Sequence, residues 1–287
     1  MGFLSRTNAG ARSPTQKTIE DYGDQWVRYP DHDGYYGSLE LLRDIVGPLL
    51  SLQDVTGSRV AEIGSGTGRI VKMLMEAGAA HVLALEPSKA FGVLERNTHQ
   101  YEGRVQLLRA RGDEIPSGLE LDFVFAIGVL HHIPDPAPVV EAVFRALRPG
   151  GRIVIWVYGL EGNELYLAFV RPLRKITTRL PHILLTGLCW SLCLALDVYI
   201  LLARVLPVPM RGYVRGPLAK VTRSTRHLVI YDQLKPAYAK YYKENEVIAL
   251  LRAGGFEGVS LYHRHWNSWT ATARKPDPGG GVGRDKT

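Results

Sequence analysis

The chain has 287 residues, 46% hydrophobic and 22% charged, close to ordinary globular proteins. This excludes a wholly disordered chain, a coiled coil and a collagen-like fibre, and the length suits one domain enlarged by a sizeable insertion. The formal charge of +7 points toward polyanionic surfaces. The two cysteines, Cys189 and Cys193, share one apolar run, so a disulfide framework is excluded, and no His or Cys spacing predicts a metal site.

Residues 1–10 contain no apolar stretch of signal-peptide length, so a cytoplasmic location is expected. Tyr22-Gly23-Asp24-Gln25-Trp26 and Gly34-Tyr35-Tyr36-Gly37-Ser38 precede a helix predicted over 39–52. Residues 59–63 (RVAEI) read as a buried strand running into Gly64-Ser65-Gly66-Thr67-Gly68, and a helical pattern follows from 69 to 77. A second strand at 81–86 ends at Pro87-Ser88, where Ser88 can cap a helix to about residue 97. Strands three and four are expected at 104–109 and 121–127. Asp135-Pro136 signals a helix start, with a capping acid and then proline. Pro149-Gly150-Gly151 ends that helix before a fifth strand at 152–158. Strands alternating with helices predict a mostly parallel sheet covered on both faces. Near the end, a helix at 246–253 precedes strands at 259–264 and 268–275. Three residues separate those strands, too few for a parallel crossover, so the pair is antiparallel.

Between these parts lies a segment of different character. From 165 to 231, ten basic residues face one acid, Asp197, so the segment carries +9 and the remainder −2. Within it, nineteen of the twenty-four residues 183–206 are apolar, bracketed by Pro181 and Pro207. A membrane span needs roughly 20 such residues. A single crossing would put strands six and seven on the far side from strands one to five. Two crossings would leave arms of about twelve residues, too short for a ~30 Å core. The segment is therefore read as a lid, a dimer contact or a peripheral membrane contact.

The glycine loop, Gly64-x-Gly66-x-Gly68, lacks the third glycine of the dinucleotide fingerprint, since Arg69 stands there, and no Lys-Ser or Lys-Thr pair follows. Glu86 closes strand two, where a carboxylate can accept from both hydroxyls of a ribose. Asp113, after strand three, can reach an exocyclic amine. Glu62 sits inside strand one, where an unpaired charge is costly, so a cationic ligand or an amide cluster is expected beside it. Each acid alone also reads as a solvated or capping carboxylate. Three together at strand ends beside a glycine loop point to a nucleoside site.

Taken as a set, Val60 to Gly68, Glu86, Gly112-Asp113, Leu130-His131-His132-Ile133-Pro134-Asp135 and Leu147-Arg148-Pro149-Gly150-Gly151 resemble the motifs of class I S-adenosylmethionine-dependent methyltransferases, small-molecule type. The resemblance covers about 59–158 and 244–275. It implies a Rossmann-like seven-stranded sheet, order 3-2-1-4-5-7-6, with strand seven reversed and a mainly helical insertion after strand five. It also implies a cofactor site of Glu62, Gly64, Ser65, Gly66, Gly68, Glu86, Pro87, Gly112, Asp113, Glu114, Ile127 and Gly128 for S-adenosyl-L-methionine. His131 and His132 are candidate bases or pocket walls. Tyr36, Tyr238, Tyr242 and His265 are candidate acceptor contacts, and Tyr241 could wall the same pocket. The expected organisation is an N-terminal arm over the cofactor (1–58), a core (59–158 with 227–275), a basic apolar insertion (159–226) and a disordered tail (276–287). Ile127-Gly128-Val129-Leu130 replaces the Asp/Asn-Pro-Pro-aromatic motif of enzymes that methylate adenine or glutamine amines. Nucleic acid is disfavoured as a partner, because the basic residues flank an oily helix rather than stacking aromatics. O-methylation of a small molecule is expected. The alternatives are a membrane-held prenyl or lipid acceptor, and a catalytically silent protein that only binds the cofactor.

Overall fold

A computed structural model describes residues 13–32, 34–235 and 238–277. The tail expected over 276–287 lies outside the described residues except for Pro276 and Asp277.

Helix α1 (Pro14–Arg28) starts at Ser13, whose hydroxyl accepts from the Gln16 N–H. Pro14 stands at the first helical position, where its missing N–H leaves no bond unmade. Ser38 caps α2 (Leu39–Val46) in the same way. That helix is shorter than the one expected over 39–52. Gly47 takes φ 54° and Pro48 follows, so the remainder forms short 3-10 turns.

Then come β1 (Arg59–Ile63), α3 (Arg69–Glu76), β2 (His81–Leu85), α4 (Phe91–Thr98), β3 (Val105–Leu108), β4 (Leu121–Ile127), α5 (Ala137–Ala146) and β5 (Leu147–Tyr158). The insertion holds α6 (Glu164–Thr177), α7 (His182–Val205), the short α8 (Arg211–Tyr213) with a π-helical turn, and α9 (Arg223–Leu234). Helix α10 (Glu244–Ala253), β6 (Glu257–Arg264) and β7 (Ser268–Arg274) complete the chain. The sheet order is β3-β2-β1-β4-β5-β7-β6, with β7 antiparallel to both neighbours and the other pairs parallel, as the short hairpin required.

Two local readings shift. Ser88 does accept a backbone N–H, but from Ala90, and α4 begins only at Phe91. Strand β5 reaches back to Leu147, pairing with Leu121 before an irregularity.

Side chains alternate along the central strands. Ala61, Ile63, Val124, Ala126, Ile153 and Ile155 point to one face, where α5 and α10 bring Val139, Val140, Val143, Val247 and Leu251. Val60, Phe123, Phe125, Ile127 and Val154 point to the other, against Leu42, Val46, Ile70, Met73, Leu74 and Leu94 of α2, α3 and α4. The insertion has smaller clusters of its own. One is Leu185 and Cys189 of α7 with Tyr231 and Leu234 of α9. The expected boundary at residue 227 therefore falls inside α9, which packs with the insertion until Leu234.

Asp197 is paired with Arg223 and Arg226, both at 2.6 Å. Helix α7 is long and apolar enough to cross a membrane by length and composition. Because β6 and β7 complete the sheet of β1–β5, one crossing is topologically barred.

Candidate active site

The carboxyl ends of β1, β2 and β4 meet at one cavity of about 920 Å³. The loop after β1 turns through Gly64, Gly66 and Gly68 at φ 70°, 54° and 85°, a left-handed region that glycine enters without strain. A Cβ on Gly66 would lie 3.2 Å from Trp26 Nε1, so α1 crosses over the loop. Gly64, Ser65 and Gly66 line the cavity. Gly68 lies off its wall, turning the chain into α3.

Glu86 is buried, and amides hold both its carboxylate oxygens. Oε2 accepts from the Gly66 N–H at 2.8 Å and Oε1 from the Ser88 N–H at 2.9 Å. The acid thus clamps the glycine loop to the end of β2, and it lines the cavity together with Pro87. Glu62 is buried with Oε2 unpartnered. Burial pushes its carboxyl up to about 8, since a low-dielectric site disfavours the charged form.

Gly112, Asp113, Ile127 and Gly128 line the cavity too. Asp113 takes the Arg111 guanidinium at 3.0 and 2.6 Å. Glu114 is off the wall. Its carboxylate accepts from the Arg111 N–H at 2.7 Å and closes the turn, which is a capping role in place of the cofactor contact expected for it.

These groups fit the expected cofactor on observations of the site itself. An orphaned buried carboxyl oxygen suits an ammonium group, a glycine turn leaves room for close backbone approach, and a carboxylate at the end of β2 suits vicinal hydroxyls.

Both histidines after β4 are buried and line the cavity, and they differ in their bonds. His132 Nδ1 lies 2.9 Å from the Tyr238 carbonyl, and Nε2 lies 2.6 Å from the Tyr22 hydroxyl. A carbonyl only accepts, so Nδ1 carries the proton and Nε2 accepts from Tyr22. Burial lowers the His132 pKa to about 4, so the ring is neutral. The His131 ring lies against Tyr158 at 3.8 Å between centroids, tilted by 32°, and neither of its ring nitrogens has a partner. Burial holds its pKa well below the usual histidine range.

The cavity continues between α1 and the insertion. Tyr36 lies on its wall, with the Arg69 guanidinium 4.3 Å above its ring. The other three residues expected to touch the acceptor do not line it. Tyr242 packs its ring into the core while its N–H donates to the Tyr158 carbonyl at 2.8 Å. Tyr238 lends only its carbonyl to His132. His265 Nε2 lies 2.8 Å from Asp44. Tyr241 takes the wall position, its hydroxyl donating to Gln233 Oε1 at 3.0 Å.

Residues that sequence reasoning missed stand here as well. Trp156, Tyr158, Tyr166 and Asp232 line the cavity, beside Tyr22 and Trp26 of the arm that was expected to lie over the cofactor. Asp232 accepts from the Gln25 amide, and burial raises its carboxyl to about 7. A lone acid on an otherwise basic helix was its only trace in the sequence.

A family model described as a methyltransferase domain matches residues 61–155. A tRNA U34 carboxymethyltransferase of Idiomarina loihiensis is 29% identical over 118 residues, 39% of this chain and 36% of that protein. A ubiquinone biosynthesis O-methyltransferase of Aromatoleum aromaticum is 35% identical over 141 residues, 41% of this chain and 60% of that protein. The matched part thus spans under two thirds of these relatives. The solved structure of 1,6-didemethyltoxoflavin-N1-methyltransferase from Burkholderia thailandensis covers 96% of this chain and 99% of its own, at 16% identity and a TM-score of 0.50, a likeness of fold alone. Residues 61–155 thus match a methyltransferase domain, and the glycine loop, the acids at the ends of β1 and β2 and the reversed β7 are the features by which the chain resembles the class I S-adenosylmethionine-dependent methyltransferases.

Proposed function

We propose that the protein methylates a small, largely apolar acceptor at an oxygen atom. One observation carries this reading: the cavity that begins at the glycine loop continues into an aromatic and aliphatic chamber roofed by α1 and the insertion, with proton acceptors on its wall. Such a chamber admits a small molecule. The likeness to a ubiquinone biosynthesis O-methyltransferase supports the choice of oxygen.

Bound S-adenosylmethionine supplies an electrophilic methyl group. Glu62, the glycine loop, Glu86 and Asp113 would hold it. The remaining work falls to the chain's own groups. Trp26 and Tyr22 on α1 cover the site and exclude water. A hydroxyl acceptor must shed a proton, and a base works best when its pKa lies near the working pH. Asp232, raised to about 7, meets that condition. His132, held neutral at about 4, is a weaker base and a fixed hydrogen-bond acceptor through Nε2. His131 offers two open ring nitrogens to a polar group of the acceptor.

The test is incubation with S-adenosylmethionine and matched series of phenols, catechols and arylamines, read by mass spectrometry. Methyl ethers are expected. Methylated amines without any ether would overturn the oxygen assignment, and turnover of none would overturn the enzymatic reading.

A further inference from the structure

Helix α7 buries one side and leaves the other bare. Leu185, Cys189, Cys193 and Ala203 are fully buried, whereas Ile183, Leu194, Val198, Leu201 and Val205 are exposed by 81%, 63%, 53%, 57% and 77%. The exposed positions recur at helical spacing and so form one continuous face. Helix α6 repeats the pattern with Leu165, Phe169 and Ile176 exposed by 60%, 71% and 62%. Apolar surface of this extent marks an interaction site.

Basic side chains stand beside it. Arg171, Lys175, Arg179 and Arg204 are exposed and have no carboxylate partner among the described residues. The acid of α7, Asp197, is turned inward and held by Arg223 and Arg226 on α9. A second copy of the chain on this face would set arginine against arginine, at a cost. A surface of negative charge over an apolar layer complements it on both counts. The same two helices wall the cavity from within, through Val170 and Leu173 of α6 and Leu192 and Leu196 of α7.

We propose that the outer face of α6 and α7 beds into the interfacial layer of an anionic phospholipid bilayer, and that an amphiphilic acceptor passes from that layer between the two helices into the cavity. The entry route rests on the methyl transfer proposed above; the docking does not.

The full chain is sedimented with vesicles of phosphatidylcholine alone and of phosphatidylcholine with phosphatidylglycerol. The double variant Leu194→Glu, Val198→Glu runs alongside, with its folding and S-adenosylmethionine affinity checked by circular dichroism and calorimetry. Wild type should bind the anionic vesicles at least about tenfold better than the neutral ones and release in high salt. The variant should stay in the supernatant with its cofactor affinity intact. Wild type remaining soluble, the variant binding equally, or a lipid-free dimer that the variant dissolves would each overturn the docking. For the entry route, alkyl phenols presented in the vesicles should turn over faster with wild type than with the variant, while a short water-soluble phenol is methylated equally by both. Equal rates on the vesicle-borne phenols would overturn the route and leave the docking standing. If neither phenol is methylated while cofactor and vesicle binding persist, the proposed reaction falls, and the route with it.

Discussion

Glu62, fully buried, and Asp232, half-buried, both stand on the cavity wall with carboxyls that burial raises well above the usual range. At pH 7 Glu62, at about 8, is largely protonated. The folded protein keeps a proton that the unfolded chain releases near 4.5, so the contribution of this group to ligand-free stability is greatest below that value and falls as pH rises toward 8. Glu62→Gln should remove that slope. Thermal melts across the interval should show the variant gaining on wild type as pH rises, and parallel curves would contradict the burial account. An ammonium group beside Glu62 favours the ionised form, so S-adenosylmethionine binding at pH 7 should release a proton from wild type and none from the variant. Calorimetry in buffers of different ionisation enthalpy measures this directly. For Asp232 the working form is the anion, so kcat should rise with pH through about 7. Asp232→Asn should lower kcat by about 10²–10⁴-fold and erase that limb while cofactor affinity holds. An unchanged pH profile would remove Asp232 from the proton path. Glu86→Ala strips the acceptor from two buried amides, which costs about 1–3 kcal/mol each, and should loosen the glycine loop together with cofactor binding. Asp113→Ala should weaken the cofactor with little change in melting temperature, because its Arg111 pair is at the surface. Motif spacing and the family resemblance singled out Glu62, Glu86 and Asp113, and all three stand on the cavity wall. The clamp made by Glu86 and the tautomer of His132 depend on neighbours 20 and 106 residues away, and no local pattern encodes them.

Helix α2 shows how an element is held in place. Asp44 accepts from Arg264 of β6 and pairs with His265 at 2.8 Å. Burial alone would raise the Asp44 carboxyl, but the His265 bond and the Arg264 charge bring it down to about 2. Its stabilising contribution is therefore present above 3.8 and lost as pH falls toward 2. Arg264 is almost wholly buried, so Asp44→Ala leaves a buried cation uncompensated and should cost about 3–5 kcal/mol, seen as a shifted urea midpoint with an unchanged slope. A loss under about 1 kcal/mol would mean that solvent already screens the pair. His265, in the turn between β6 and β7, was expected to meet the acceptor. It serves instead to fasten α2, a long-range pairing invisible in the chain order. Elements with a strong period, such as β1, β4 and α5, were legible to within a few residues. The ends of α2, α4 and β5 were not, since glycine and proline geometry and sheet pairing set them.

The molecule as a whole divides by core. The sheet is packed on both faces by large clusters, whereas α6–α9 rest on small ones. Amide exchange should therefore protect β1, β4 and β5 longest and release α6–α9 earlier, because local opening follows the apolar burial of each unit. Uniform protection would indicate one cooperative body. Sheet class, the antiparallel β6–β7 pair and the glycine-loop side of the cavity were legible in the sequence alone, because period, turn residues and a glycine loop with flanking acids are local signals. The acceptor side was decided only in three dimensions. Its wall gathers α1, the turn after β4, and the insertion helices, segments up to about two hundred residues apart such as Gln25 and Asp232. Which side chains line a space between such segments follows from how the helices pack on one another, and the pattern of a single helix does not contain that information.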